Sequence, residues 1–215
     1  MKHVNGVWSP DEIKTRWLEG PFINGLPSYQ YDDIQQVVQA CGKRLNVAID
    51  GGACVGIWTI HLARYFKRVI AFEPIPHIFA CLEKNTEVYG PERGSERALD
   101  LYRAALSDKV SQLAMTPRAV GWAAHPHTKS RGEPQYFPCM TVDSLKLDQL
   151  DLLKLDLEGH EYAGLLGARE TIIRCKPFVI VEEKLDKMKR AIGFLTDLGM
   201  TCTSVQNGHD YFFRW

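Results

Sequence analysis

Val47-Ala-Ile-Asp-Gly-Gly-Ala-Cys-Val-Gly56 decides the fold: a short apolar run closes on an acid, a glycine turn follows, and Ile57 to Phe66 reads as helix. A strand, a glycine turn and a helix in that order bring backbone N–H groups close to a ligand. The rhythm recurs along the chain. Val69-Ile-Ala-Phe-Glu73 precedes a helix predicted over 76–89, and Leu99 to Ala105 gives a third strand. Leu152-Leu-Lys-Leu-Asp156 precedes a helix around 160–173, and Phe178-Val-Ile-Val-Glu182 a helix around 186–198. Continuous apolar strands alternating with helices predict an α/β fold with a mostly parallel sheet and helices on both faces. Thr201–Val205 and Tyr211–Trp215 flank Asn207-Gly208, a hairpin signal, so the sheet should end in an antiparallel pair.

Upstream, Ser9-Pro10-Asp11-Glu12 combines a capping side chain, proline at the first helical position and first-turn acids, which predicts a helix to about Leu18. A loop follows from Gly20, and Asp32-Asp33 opens a second helix with Ile34, Val37 and Val38 on one face. Residues 1–44 therefore read as an N-terminal helical appendage and candidate lid, and residues 45–215 as the main domain. Within it, about 107–145 fits neither pattern and is expected to be an irregular or β-rich insertion.

The 215 residues suit one α/β domain, and 26 Lys+Arg balance 26 Asp+Glu, which leaves no compositional footprint for tight nucleic-acid binding. The longest uncharged stretch, Gly51 to Ala63, is too short for a membrane span, and the first ten residues lack a signal peptide's apolar core. The six cysteines are dispersed without a Cys-x-x-Cys pair, so reduced thiols and a cytoplasmic location are expected.

Read as G-x-G-x-x-G, the turn fails at Ala53, where a pyrophosphate would approach the backbone. Asp50 points the same way, since a carboxylate there repels phosphate but suits a ligand carrying an ammonium and a sulfonium. S-adenosylmethionine carries both and no phosphate. Glu73, at the next strand's end, is placed to accept hydrogen bonds from ribose hydroxyls. An NAD-binding Rossmann protein is the weaker alternative.

Ala48 to Thr59, Val69-Ile-Ala-Phe-Glu-Pro-Ile-Pro76, Ala105-Leu-Ser-Asp108, Thr141-Val-Asp-Ser-Leu145, Lys154-Leu-Asp-Leu-Glu-Gly-His-Glu161 and Lys176 to Glu182 occur in an order that resembles FkbM-like methyltransferases. The resemblance covers about residues 45–185, and Lys-x-Asp-x-Glu-Gly-x-Glu is its specific part. It implies a Rossmann-like class-I methyltransferase sheet and S-adenosylmethionine as cofactor. It also implies a cofactor site at Asp50, Gly51, Gly52, Ala53, Val55, Gly56, Thr59, Glu73, Pro74, Ile75, Ala105, Leu106 and Asp156. The family usually has Asn-Ile-Gly where this chain has Cys54-Val55-Gly56, which removes one side-chain amide.

Transfer of a methyl group to an alcohol requires that the acceptor be aligned and its proton removed. His160, with Asp156 and Glu158 beside it, is the candidate catalytic group. A divalent cation such as magnesium on Asp156, Glu158 or Glu182 is the other way to acidify a hydroxyl. The expected acceptor is a hydroxyl of a sugar, glycan or small metabolite, lined by the appendage and insertion with Tyr29, Tyr31 and Trp122 as candidates. The alternatives are a nucleic-acid ribose 2′-O-methyltransferase and a non-catalytic cofactor-binding subunit. Pro138-Cys139 precedes the fourth strand rather than following it, and His125-x-His127 lacks metal partners, so both read as structural.

Overall fold

The computed structural model describes residues 1–11, 14–92, 95–117, 122–123, 133–184 and 189–215. The chain opens with two hairpins, β1 (Lys2–Val4) on β2 (Val7–Ser9) and β3 (Phe22–Ile23) on β4 (Leu26–Pro27), with a 3-10 turn at Arg16–Leu18 between them. The helix expected from Ser9 to Leu18 is absent among the described residues. Its place is taken because Asn5-Gly6 and Asn24-Gly25 all have positive φ, 46° and 81° then 52° and 78°, as a two-residue hairpin turn of type I′ requires. Ser9 is thereby drawn into a ladder opposite Lys2 instead of capping a helix. The second expected helix is present as α1 (Tyr31–Cys41), with Ile34 and Val37 fully buried, which contributes about 1.5–3 kcal/mol each.

The alternation then begins: β5 (Val47–Gly51), α2 (Ile57–Leu62), β6 (Arg68–Phe72), α3 (Pro76–Tyr89) and β7 (Ala98–Tyr102). Next, β8 (Ala105–Leu106), β9 (Ser111–Pro117), β10 (Trp122–Ala123) and β11 (Gln135–Met140) form a separate sheet in the order β10-β9-β11-β8. His125, His127 and the side chain of Trp122 lie outside the described residues. The chain returns through β12 (Leu152–Leu155), α4 (Glu161–Leu166), α5 (Arg169–Cys175), β13 (Phe178–Glu182), α6 (Arg190–Asp197), β14 (Thr201–Gln206) and β15 (Asp210–Arg214). The single helix expected around 160–173 is broken between α4 and α5 because Gly167 presses on the Ser107 carbonyl, where a Cβ would overlap the oxygen.

The main sheet runs β14-β15-β13-β12-β5-β6-β7, with β13, β12, β5, β6 and β7 parallel and the β14–β15 pair antiparallel at one edge. Strand periodicity sorts the core into two faces. Ile49, Leu153, Val179 and Phe213 pack with Leu165, Ile172 and Leu195 of α4 to α6. Ala48, Leu152, Ile180 and Phe212 pack on the other face with Ile34, Val37, Trp58 and Leu62 of α1 and α2. A third cluster joins Val7, Leu18 and Leu26 of the N-terminal segment to Val55, Ile57, Ile60 and Ile75.

From β5 the chain steps outward through β6 and β7, then crosses back to β12 on the other side of β5. Strand order thus reverses between β5 and β12, and an open α/β sheet binds its ligand in the crevice beyond the carboxyl ends at that reversal. The two loops bordering the crevice touch through Gly52, at φ +75°, where a Cβ would overlap the Asp156 carbonyl oxygen. Gly52→Ala should cost roughly 2–5 kcal/mol, from left-handed strain plus overpacking. Gly25→Ala, at φ +78° with nothing within 4 Å of its Cβ, should cost only the strain, about 1–2 kcal/mol. Denaturant unfolding of the two variants measures the difference, and equal losses would mean that the two loops do not depend on this contact.

Candidate functional site

The turn after β5 is closed by its own amides: Gly52 N–H and Ala53 N–H both donate to the Phe72 carbonyl, at 3.0 and 2.9 Å. Cys54, at φ 51°, donates its N–H to Glu73 Oε2 at 3.1 Å, and Ile75 N–H donates to Glu73 Oε1 at 2.9 Å. Glu73 therefore latches the turn to the loop leading into α3 while bordering the cavity. Burial pushes its carboxyl up to about 8 despite these two hydrogen bonds, with Asp50 and Asp156 adding repulsion.

That cavity, of about 280 Å³, lies at the strand-order reversal. Of the expected residues it brings together Gly52, Ala53, Val55, Glu73, Pro74, Ile75, Ala105, Leu106, Asp156, Glu158 and His160. Four others stand behind its wall. Gly51 packs on Leu106 and Leu155, and Gly56 on Leu82. Asp50 is fully buried, accepting from Thr59 Oγ1 at 2.7 Å and from Lys154 Nζ at 3.1 Å. The expectation that Asp50 meets a ligand's ammonium is corrected: its two oxygens are engaged by the protein's own hydroxyl and ammonium.

Lys154, quoted in the Lys-x-Asp-x-Glu-Gly-x-Glu motif but given no role at the site by the sequence reading, lines the cavity. Burial alone would lower its pKa, but the Asp50 and Asp156 carboxylates outweigh that effect and raise it, so it stays charged. Its direct cross-strand pairing with Asp50 follows from β5–β12 register, and register was the absent information. Lys154 Nζ sits 5.5 Å from the Trp58 ring centroid, and Trp58 Nε1 donates to Gln30 Oε1 at 2.7 Å. Gln30, Tyr29 and Trp17 also line the cavity, the last two with ring centroids 4.8 Å apart, and Leu113 and Met115 reach it from β9. Tyr31 instead packs edge-on against His61.

Beyond β12 the loop turns on Glu158 and Gly159, at φ 53° and 95°. Buried Glu161 holds that turn, with Oε1 accepting the N–H of Leu157 at 2.8 Å and of Gly159 at 3.0 Å. Its carboxyl is pushed up by burial to about 7. His160 starts α4, and its Nε2 lies 2.9 Å from Ser107 Oγ. Glu182 ends β13 behind Asp156; burial and then the Asp156 charge push its carboxyl up to about 8, and Asp156 is raised as well, chiefly by burial. A small second recess between Asp33, Asp156, Glu182 and Asp210 lies there. Ligand atoms of Asp156, Glu161 and Glu182 come within 4.8 Å of one another, as do those of Glu182, His209 and Asp210, and either set could hold a cation. Glu158, expected in such a set, belongs to neither.

The chemistry available is that of an apolar-walled cleft whose lining acids Glu73, Asp156 and Glu158 outnumber Lys154, suited to a ligand with cationic and hydroxyl groups. All six cysteines are free thiols, and no described helix is long and apolar enough to cross a membrane.

The family model described as the methyltransferase FkbM domain matches residues 50–201. A protein of Dictyostelium discoideum named as a methyltransferase is 41% identical over 54 residues, 25% of this chain and 20% of that protein. The crystal structure of the methyltransferase FkbM from Methylobacillus flagellatus KT superposes with a TM-score of 0.57 at 16% identity, covering 79% of this chain and 43% of that one. The chain thus spans less than half the length of both. Precorrin 8w decarboxylase from Methanobacterium thermoautotrophicum matches with a TM-score of 0.51 at 18% identity, covering 97% of this chain and 100% of that one. These likenesses to solved structures are likenesses of fold.

The raised acids set a pH dependence of stability. Glu73, Glu161 and Glu182 hold protons more tightly folded, at about 8, 7 and 8, than at their ordinary 4.5. Their contribution is fully present below that ordinary value and is lost as pH rises through 7–8. The melting temperature should therefore fall between about pH 4.5 and 8 and level off above that, and Glu182→Gln, which cannot ionise, should flatten the decline. A Glu182→Gln profile parallel to the parent's would remove Glu182 from the account.

Proposed function

The chain belongs to the FkbM methyltransferase family, and on that premise we propose that it transfers the methyl group of S-adenosylmethionine to a hydroxyl of a sugar, glycan or other small metabolite. The observation that carries this reading is the acid-lined cavity at the strand-order reversal, with Glu73 on one side and Asp156, Glu158 and His160 on the other. The donor set fits the cofactor: Glu73 offers carboxylate oxygens to ribose hydroxyls, and Ile75, Ala105 and Leu106 offer apolar contact to a base. Gly52 to Val55 supply close backbone, and Asp156 offers charge to the ammonium and sulfonium. When bound, S-adenosylmethionine supplies a methyl group already activated by its sulfonium.

The chain's own residues then have three tasks. Lys154, paired with Asp50, opposes with its charge the burial that raises the Asp156 carboxyl, without adding net charge to the wall. The N-terminal segment and the β9–β11 strands shape the acceptor side, with Trp17 and Tyr29 at its mouth. His160 takes the acceptor's proton, with Asp156 and Glu158 orienting donor and acceptor. Deleting residues 1–30 would not isolate the mouth, because Val7, Leu18 and Leu26 are buried against Ile57 and Ile60.

A metal-assisted scheme is the second reading, and the convergence of Glu182 either with Asp156 and Glu161 or with His209 and Asp210 is what supports it. Against the first set, Glu161 already serves two backbone amides. Calorimetric titration should give S-adenosylmethionine binding and none for NAD, with Glu73→Ala weakening it by about 1.5–3 kcal/mol, the scale of a charged hydrogen bond. Unchanged affinity would remove Glu73 from the ribose site. In turnover with a sugar acceptor found by screening, His160→Ala should lower kcat by about 10²–10⁴ with cofactor affinity retained, and a chelator should have no effect. Loss of activity on chelation and its return with magnesium would favour the metal scheme instead.

A further inference from the structure

His160 is braced by a residue that the transfer scheme leaves idle. Ser107 follows β8 immediately; its hydroxyl donates to Asp108 Oδ1 at 3.0 Å and lies 2.9 Å from His160 Nε2. The backbone carrying that hydroxyl is fixed on both sides. Ser107 N–H donates to the Met140 carbonyl of β11 at 2.9 Å, and the Ser107 carbonyl is the group that Gly167 meets between α4 and α5. The side chain is buried, so this contact comes from the packed interior, whereas Asp108 is exposed.

A serine hydroxyl has one proton to give. With that proton on Asp108, Ser107 Oγ can only accept from the imidazole, so the neutral ring carries its hydrogen on Nε2 and its lone pair on Nδ1. We propose that Ser107, oriented by Asp108, is a positioning residue that selects this tautomer and makes Nδ1 the basic atom of His160. The inference rests on the reading of His160 as the base.

The proton and charge accounting closes. The acceptor O–H proton passes to Nδ1 as the oxygen bonds to the methyl carbon. The carbon–sulfur bond breaks with its electron pair remaining on sulfur, turning the sulfonium into a thioether. One positive charge leaves sulfur and one appears on the imidazolium. The imidazolium's Nε2–H then faces the Asp108 carboxylate through the Ser107 hydroxyl, the kind of support a buried orienting group gives a catalytic histidine.

The test is nitrogen NMR of the uniformly ¹⁵N-labelled full chain, with the His160 signals identified by their loss in His160→Gln. The expected result is a protonated-type Nε2 and an unprotonated-type Nδ1 in the parent. Ser107→Ala should shift both nitrogens toward a tautomer mixture, and Ser107→Thr should preserve the parent pattern. Asp108→Ala, an exposed change that leaves the packing alone, should reproduce the Ser107→Ala shift. In turnover, Ser107→Ala should lower kcat about 10- to 100-fold with acceptor KM unchanged, and Ser107→Thr should restore it. A parent ring protonated on Nδ1, or Ser107→Ala and Asp108→Ala rings with parental shifts, overturns the inference. A fully active His160→Ala enzyme overturns the base reading instead, and the NMR pattern separates that failure from the first.

Discussion

The buried pair of Lys154 and Asp50 sits where the site begins. The two residues face each other directly across β12 and β5, the strands between which strand order reverses, and Nζ donates to Oδ1 at 3.1 Å. Removing either partner would strand a charge in the interior, which costs about 3–5 kcal/mol. Thr59 of α2 takes the other Asp50 oxygen, Trp58 lies beneath the Lys154 ammonium, and Gln30 holds the Trp58 indole. One interaction thus fixes, in sequence, the central strands, the helix after the glycine turn, and the N-terminal segment at the cavity mouth.

The same cation organises the acids around it. Asp50 is matched by Lys154 at 3.1 Å, whereas Asp156 and Glu182 lie 4.0 Å from the Lys154 and Lys184 ammoniums respectively, and Glu161 and Glu73 accept from backbone amides. Burial raises each of the last four, so protons are held where a cationic ligand would otherwise be needed. A ligand bringing its own positive charge would favour the ionised forms, which links occupancy of the cleft to proton release.

The sheet was legible because its strands are continuous apolar runs and its ends are acids, and both features survive without knowledge of tertiary contacts. The Asn207-Gly208 hairpin was legible from turn chemistry. Asn5-Gly6 and Asn24-Gly25 carry the same signal, yet the Ser-Pro-Asp-Glu pattern at 9–12 competes with it, and a local capping preference gave way to a ladder formed by the preceding turn. Glu73, Asp156 and His160 could be placed because each ends a strand or starts a helix at the carboxyl edge. Asp50 likewise ends an apolar run, but it lies behind the cavity wall where Glu73 borders the cavity: its role depends on which residue of β12 stands beside it. That register and the Ser107–His160 hydrogen bond join segments far apart in the chain, and no local pattern encodes them.

The central claim is that Glu73 and the Asp156–His160 loop clasp opposite ends of one adenosylmethionine-shaped ligand. A crystal structure with S-adenosylhomocysteine tests it most directly. The account predicts the ribose hydroxyls on the Glu73 carboxylate, the base against Ile75 and Leu106, and the amino-acid end beside Asp156. A product bound elsewhere, or one seated in the cleft with its ribose away from Glu73, would contradict it.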